Sequence, residues 1–188
     1  ADRHIDNPDF IKDAFDTVGN ATAGINRLLD QIRNKNIQPE KKIILNLADV
    51  AQDAVAKKQG QLPQPVFEAG DAEYFALAER DRLINVLTHL IDNAQQATED
   101  AGTVKISLLT ESDTHKLVIR DNGHGMDEAF IRNRLFKPFD TSKGNAGMGI
   151  GMYESQEFIG QLGGHIQVES TPGKGTSVIL HIPGSSPL

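Results

Sequence analysis

Three groups of residues in this chain have the types and spacings that chemistry needs. The first is a carboxylate followed by two glycines at alternate positions, Asp121-x-Gly123-x-Gly125, at the end of the apolar alternating run Lys116-Leu117-Val118-Ile119-Arg120. The second is the triplet Gly147, Gly149 and Gly151, which leads into a helical pattern through Met152, Ser155, Phe158, Ile159 and Leu162. The third is His89 with Asn93, one helical turn apart on the shoulder of an apolar stripe. Together they suit a nucleotide. Glycine lets the backbone approach a ligand closely. A glycine-rich turn opening a helix offers free N–H groups and the positive end of the helix dipole to phosphate. A carboxylate at a strand end can accept a hydrogen bond from an exocyclic amine. An Asn oxygen can bind a Mg²⁺ that carries phosphates, because Mg²⁺ takes few protein ligands and fills its shell with phosphate and water. His89 can relay a proton. Each group has a plainer reading as well: turn glycines around two hairpins, and a structural or solvated His and Asn on a helix flank. A dinucleotide-binding fingerprint does not fit, since Gly147 follows the polar loop Thr141-Ser142-Lys143-Gly144-Asn145 and not a strand.

The elements that must position these residues are legible in the periodicity. Glu79 to Glu99 carries the strongest compact-part helix pattern, with Leu83, Val86, Leu87, Leu90, Ile91, Ala94 and Ala97 on one stripe. Asn46 or Asp49 caps a shorter helix running to about Lys58. Lys41–Leu45, Pro65–Ala69 and Tyr74–Leu77 read as short strands. Thr103–Leu109 with His115–Asp121, and His165–Ser170 with Thr176–Ile182, read as two hairpins. The order β-α-β-β-α-β-β-α-β-β leaves helices to cover one face only, which predicts an α/β two-layer sandwich with a mixed sheet. A long helix precedes it. Asn7 caps, Pro8 takes the first position, and Ile11, Val18, Ile25 and Ile32 recur every seven residues, a seam suited to a bundle or coiled coil. Asn34 to Lys42 is a polar linker. The expected boundaries are 1–38 for the helical part and 39–188 for the sandwich. The stretch from Asp121 through the glycine triplet, poor in large apolar residues after Asp140, is expected to include a mobile lid.

Composition narrows the class. The chain has 188 residues, no cysteine and a net charge of −7, from 19 basic and 26 acidic residues. No thiolate metal site or disulfide framework is available. The acidic balance argues against nonspecific nucleic-acid binding. No apolar run approaches the roughly 20 residues of a membrane span. The chain begins at Ala1 without a Met, as a piece of a longer protein would.

Over residues 40–183 the motifs, in order, resemble the catalytic ATP-binding domain of sensor histidine kinases, within the Bergerat-fold (GHKL) ATPases that include gyrase, Hsp90 and MutL. His89-Leu90-Ile91-Asp92-Asn93-Ala94 resembles the N box, Asp121-Asn122-Gly123-His124-Gly125-Met126 the G1 box, and Leu135 to Lys143 the F box. Gly147-Met148-Gly149-Ile150-Gly151-Met152 resembles the G2 box and Gly173-Lys174-Gly175-Thr176 the closing glycine–threonine motif. The resemblance implies ATP and Mg²⁺ as ligands. Asn93 would hold the metal. Asp121 would read the adenine amine, with Thr176 supporting that side. Gly123 and Gly125 would shape the pocket, and Gly147, Gly149 and Gly151 would let the lid reach the phosphates. Lys143 would approach the terminal phosphates, Phe136 and Phe139 would anchor the lid, and His89 would assist as a base or orient the acceptor. The implied reaction is γ-phosphoryl transfer to a histidine. The implied setting is the cytoplasmic portion of a membrane-anchored, homodimeric two-component kinase with a response-regulator partner. The first helix resembles the second helix of a dimerisation hairpin. His4, before its cap and followed by Ile5-Asp6-Asn7-Pro8, is in the wrong context for the acceptor, so this chain is expected not to phosphorylate itself. The style of Asn7-Pro8-Asp9-Phe10 and Asn26-Arg27-Leu28-Leu29 resembles kinases associated with PEP-CTERM and exosortase systems. The alternatives are a non-kinase ATPase switch of the same fold, of the MutL or Hsp90 kind, which usually has Glu at the position of His89, and a binding module that has lost catalysis.

Overall fold

Leu83, Ile84, Leu87, Leu90, Ile91 and Ala94 are buried along one side of a helix from Arg80 to Ala97, and everything that positions the site is built on that stripe. The computed structural model describes residues 40–70, 72–138 and 150–186. The long first helix with its bundle seam, the 1–38 boundary, the exosortase-type resemblance, Phe139, Lys143, Gly147, Gly149 and the central part of the expected lid lie outside the described residues.

In chain order the elements are β1 (Ile43–Asn46), α1 (Leu47–Lys58), β2 (Pro65–Ala69), β3 (Phe75–Ala78), α2 (Arg80–Ala97), β4 (Val104–Glu111), β5 (Thr114–Asp121), α3 (Glu128–Asn133), α4 (Gly151–Gln161), β6 (His165–Thr171) and β7 (Gly175–Pro183). The main sheet has five strands in the order β2-β4-β5-β7-β6. β2 runs parallel to β4 and the remaining pairs are antiparallel, so the sheet is mixed, as expected from the element order. β1 and β3 form a separate antiparallel ribbon.

Strand alternation decides the layers. Ile106, Leu108, Leu117, Ile119, Leu180 and Ile182 point to one face and are buried; Lys105, Leu109, Arg120, His165, Gln167 and Glu169 lie on the other strand positions and are exposed. The buried face meets α1 through Leu47, Val50, Ala51, Ala54 and Val55, α2 through its stripe, and α4 through Phe158 and Ile159. This is the two-layer α/β sandwich with helices over one face. Truncating a fully buried stripe residue such as Leu90 to Ala would cost about 2–5 kcal/mol.

Polar contacts lock α1 against α2. Lys58 Nζ lies 2.6 Å from Asp92 Oδ1 in a partly buried ion pair. The Gln95 side-chain amide donates to the loop after α1, with the carbonyls of Lys58, Gln61 and Pro63 at 3.1–3.2 Å. The ribbon is tied to the main sheet by buried His115, whose Nε2 donates to the Phe75 carbonyl at 3.0 Å while Thr110 donates to its Nδ1 at 3.0 Å. Two strand boundaries and one additional helix differ from the sequence reading in an informative way. β3 begins one residue later than Tyr74, whose hydroxyl turns inward to donate to the Leu108 carbonyl. β7 extends out to Gly175 and Pro183. The short α3 was not foreseen; it is capped by the Asp127 carboxylate, which accepts from Phe130 N at 2.7 Å, and it buries none of its own residues.

Candidate nucleotide site

β5 ends at Asp121 beneath the C-terminal end of α2, and the whole site follows from that placement. The Asp121 side chain is buried, and its Oδ1 accepts two backbone N–H bonds, from Gly123 at 2.9 Å and from Thr176 at 3.2 Å. Among the described residues no hydrogen bond reaches Oδ2. Burial raises the Asp121 pKa above its usual 3.8; the two backbone donors and the nearby His124 pull it back down, and burial prevails. A carboxylate with one oxygen bonded in this way keeps the lone pairs of the other as acceptors.

The loop after Asp121 is packed against its own protein. His124 N donates to the Ala97 carbonyl at 3.0 Å and Gly173 N to the His124 carbonyl at 2.7 Å. Asn122 Oδ1 accepts from Thr103 N at 2.7 Å. A Cβ on Gly123 would overlap the Ala97 carbonyl, and one on Gly125, which sits at φ +66°, would overlap the carbonyl of Thr171. These glycines therefore let the loop close between the end of α2 and the β6–β7 turn, in addition to any approach they allow to a ligand. Thr176 is buried opposite Ser170 in the β6–β7 register. Ser170 also accepts from Met126 N at 2.8 Å.

At the middle of α2, Asn93 Nδ2 donates to His89 Nε2 at 2.9 Å. An amide nitrogen only donates, so His89 is held with Nε2 as acceptor. Gly151, the first residue of α4, lies against that imidazole, and a Cβ there would overlap the ring. α4 begins without a side-chain cap, its flanking residue being Ile150. From His89 to Ala97 the helix rises about 12 Å. The two ends of that span meet different partners: Gly151 and the start of α4 at His89, and the Asp121 loop at Ala97.

Of the residues singled out in the sequence, Asp121, Gly123, Gly125 and Thr176 come together in one bonded cluster. His89, Asn93 and Gly151 form a second cluster one to two turns away along α2. Phe136 is half-buried just after α3. Sequence reading missed Ser170, and it quoted His124 and Met126 within the G1 box without giving either a role. Ser170 was discoverable from the hairpin register alone, because a turn over Pro172–Lys174 sets it across from Thr176. Among the described residues no group of three or more His, Asp or Glu side chains can hold a metal, and no helix is long and apolar enough to cross a membrane. A Mg²⁺ bound through the Asn93 amide would thus take most of its ligands from phosphate and water, which is the coordination Mg²⁺ prefers.

Comparison with known proteins gives the family and the fold. Residues 78–186 match the family described as histidine kinase-, DNA gyrase B- and HSP90-like ATPases. The C4-dicarboxylate transport sensor protein DctB of Rhizobium meliloti is 38% identical over 109 residues, which is 57% of this chain and 17% of the relative. The signal transduction histidine-protein kinase AtoS of Escherichia coli is 36% identical over 107 residues, again covering 17% of the relative. The sensor protein GacS of Pseudomonas syringae aligns with 90% of this chain at 28% identity. The chain thus spans about a sixth to a fifth of the length of these relatives. Among solved structures, the mycobacterial sensor histidine kinase MprB superposes with a TM-score of 0.68 at 20% identity, covering 76% of this chain and 97% of that one. The catalytic domain of histidine kinase ThkA superposes at 0.66 and 24% identity, covering 77% and 96%. At those identities the likeness bears on the fold alone.

Proposed function

Because this chain belongs to the family of histidine kinase-, DNA gyrase B- and HSP90-like ATPases and carries its ATP-binding domain, we propose that it is the catalytic portion of a two-component sensor histidine kinase. It transfers the ATP γ-phosphoryl group to a histidine imidazole on a helix that this chain does not contain. The bond from the γ-phosphorus to the β,γ-bridging oxygen breaks, ADP leaves with that electron pair, the imidazole lone pair forms the new P–N bond, and the proton on the other ring nitrogen is lost to solvent. Positioning and charge neutralisation supply nearly all of the rate.

The observation that supports this reading is buried Asp121, with Oδ1 fixed by two backbone donors and no hydrogen bond to Oδ2 among the described residues. Asp121 reads the adenine amine and Thr176 supports it. Asn93 is the protein ligand of Mg²⁺, which neutralises phosphate charge when bound. Gly151 opens α4 toward the phosphates, Gly147 and Gly149 extend that approach, and Lys143 neutralises the terminal phosphate. Residues 1–38 supply one helix of a dimerisation hairpin, and residues 39–188 the catalytic domain. The longer protein is a membrane-anchored homodimer that hands its phosphoryl group to a response regulator. Sensor kinases among the relatives support that setting.

Calorimetric titration with a non-hydrolysable ATP analogue, with and without Mg²⁺, tests the assignment. Wild type should bind, Asp121→Asn should abolish binding, because it loses a hydrogen bond to a charged group and turns an amide N–H₂ toward the base, and Asn93→Ala should erase the Mg²⁺ dependence. Steady ATP turnover by the chain, with no acceptor histidine present, would count instead for an ATPase switch of the same fold.

A further inference from the structure

Ser170 lies in none of the motifs, yet three hydrogen bonds converge on its hydroxyl. Met126 N is 2.8 Å away, the Gly175 carbonyl oxygen 2.9 Å and Thr176 Oγ1 2.9 Å. A hydroxyl has one hydrogen and two lone pairs. Met126 N can only donate, and the Gly175 oxygen can only accept. The Ser170 hydrogen therefore goes to Gly175, one lone pair takes Met126, and the contact with Thr176 is satisfied only if Thr176 donates. The single hydroxyl hydrogen of Thr176 is thereby turned onto Ser170. Its backbone N–H is also committed, to Asp121 Oδ1 at 3.2 Å. What Thr176 still offers its surroundings is lone pairs. Asp121 Oδ2 offers lone pairs too. Among the described residues, Asp121 and Thr176 thus bring acceptors and no uncommitted hydrogen, and their complement is an aromatic amino group with two N–H bonds. A carbonyl in the same place would set lone pairs against lone pairs in a buried corner.

We propose that Ser170 is a positioning residue that sets base specificity: by taking the Thr176 hydroxyl hydrogen it leaves the corner beside Asp121 with acceptors only, and so selects 6-amino over 6-oxo purine nucleotides. The inference rests on the nucleotide-binding reading above and adds to it a residue that never meets the base. Asp121 alone cannot supply the same discrimination. A neighbouring hydroxyl free to rotate would donate to a 6-oxo group and offset the repulsion from the carboxylate.

The test is calorimetric titration of the chain with the Mg²⁺ complexes of three triphosphates that differ only at position 6 and N1: adenosine, inosine, and purine riboside, which has hydrogen at position 6. In wild type, inosine triphosphate should bind at least about tenfold more weakly than purine riboside triphosphate, because it suffers repulsion and not merely a lost bond. Ser170→Ala should bring those two within about threefold of each other while adenosine triphosphate weakens. Ser170→Thr, which keeps the hydroxyl, should retain the wild-type ratio. Thr176→Val removes the acceptor without touching the Ser170 bonds to Met126 and Gly175, and should narrow the same ratio, so the result does not depend on Ser170→Ala folding. An unchanged inosine-to-purine-riboside ratio in Ser170→Ala or in Thr176→Val overturns the proposal, as does a Ser170→Thr chain that loses discrimination as fully as Ser170→Ala. Failure of wild type to bind any of the three overturns the nucleotide-binding reading itself, which is a different result from binding without discrimination.

Discussion

Asp121 is held in a way that works against the stability of its own fold. Burial makes its charged form costly, and the backbone donors of Gly123 and Thr176 offset only part of that cost. A carboxyl whose folded pKa lies above its unfolded value contributes stability below the unfolded value and loses it as pH rises through the folded one. Asn at this position keeps an acceptor for both backbone donors and carries no charge. Asp121→Asn should therefore melt higher than wild type at neutral pH, and the gap should close as pH falls toward the usual carboxyl value of 3.8. Thermal melts at pH 4 and pH 7 measure this directly; a gap of constant size would show that charge burial is not its cause. The same variant should fail to bind nucleotide, since it turns an amide N–H₂ toward the adenine amine. Gain of stability with loss of binding is the signature of a residue retained for function at the fold's expense.

At the scale of elements, α2 joins the two clusters, and its junction with α4 is set by a missing side chain. Gly151 faces the His89 ring with no room for a Cβ. By helix propensity alone Gly151→Ala would be neutral or favourable. The overlap with His89 should reverse that sign and displace the first turn of α4. Removing the ring makes room, so Gly151→Ala should cost less in a His89→Ala background than in wild type, with a coupling of about 1–3 kcal/mol in a double-mutant cycle by urea unfolding. Additive losses would mean that the two elements do not meet there. This contact also marks where sequence reading stops. The α2 stripe and both hairpins were legible because period 3.6 and period 2 are written in the burial of their own side chains. Asp121 and Thr176 were legible because their motifs lie at strand ends. α3 was not, since a helix that buries none of its residues leaves no apolar period to read. The role of Gly151 against His89 was not legible either, because 62 residues separate them in sequence and only the packing of α4 on α2 brings them together. Ser170 lay between: its register with Thr176 followed from the hairpin, but its importance depends on counting one hydroxyl hydrogen among three partners.

For the whole molecule, the proposed binding at Asp121 and at Asn93 would be linked to unfolding. The two residues sit on different elements: Asp121 ends a strand in the middle of the sheet, and Asn93 sits on the helix that covers it. A ligand engaging both holds sheet and helix layer together, and it loses its site when either comes apart. A ligand at 100 times its dissociation constant that binds only the folded chain adds about 2.7 kcal/mol of stability. In a chain of this size each kcal/mol moves Tm by about 2–4 °C. Saturating ATP with Mg²⁺ should therefore raise Tm by about 5–11 °C. Asn93→Ala should keep the part of the shift that free ATP gives and lose the increment due to Mg²⁺. Asp121→Asn should start from a higher Tm and show no shift with either. The three melting curves separate the adenine end of the site from its phosphate end in one measurement on the intact chain. If wild type melts cooperatively but ignores ATP, the cluster around Asp121 is a structural feature of the sheet end, and the nucleotide assignment falls with it.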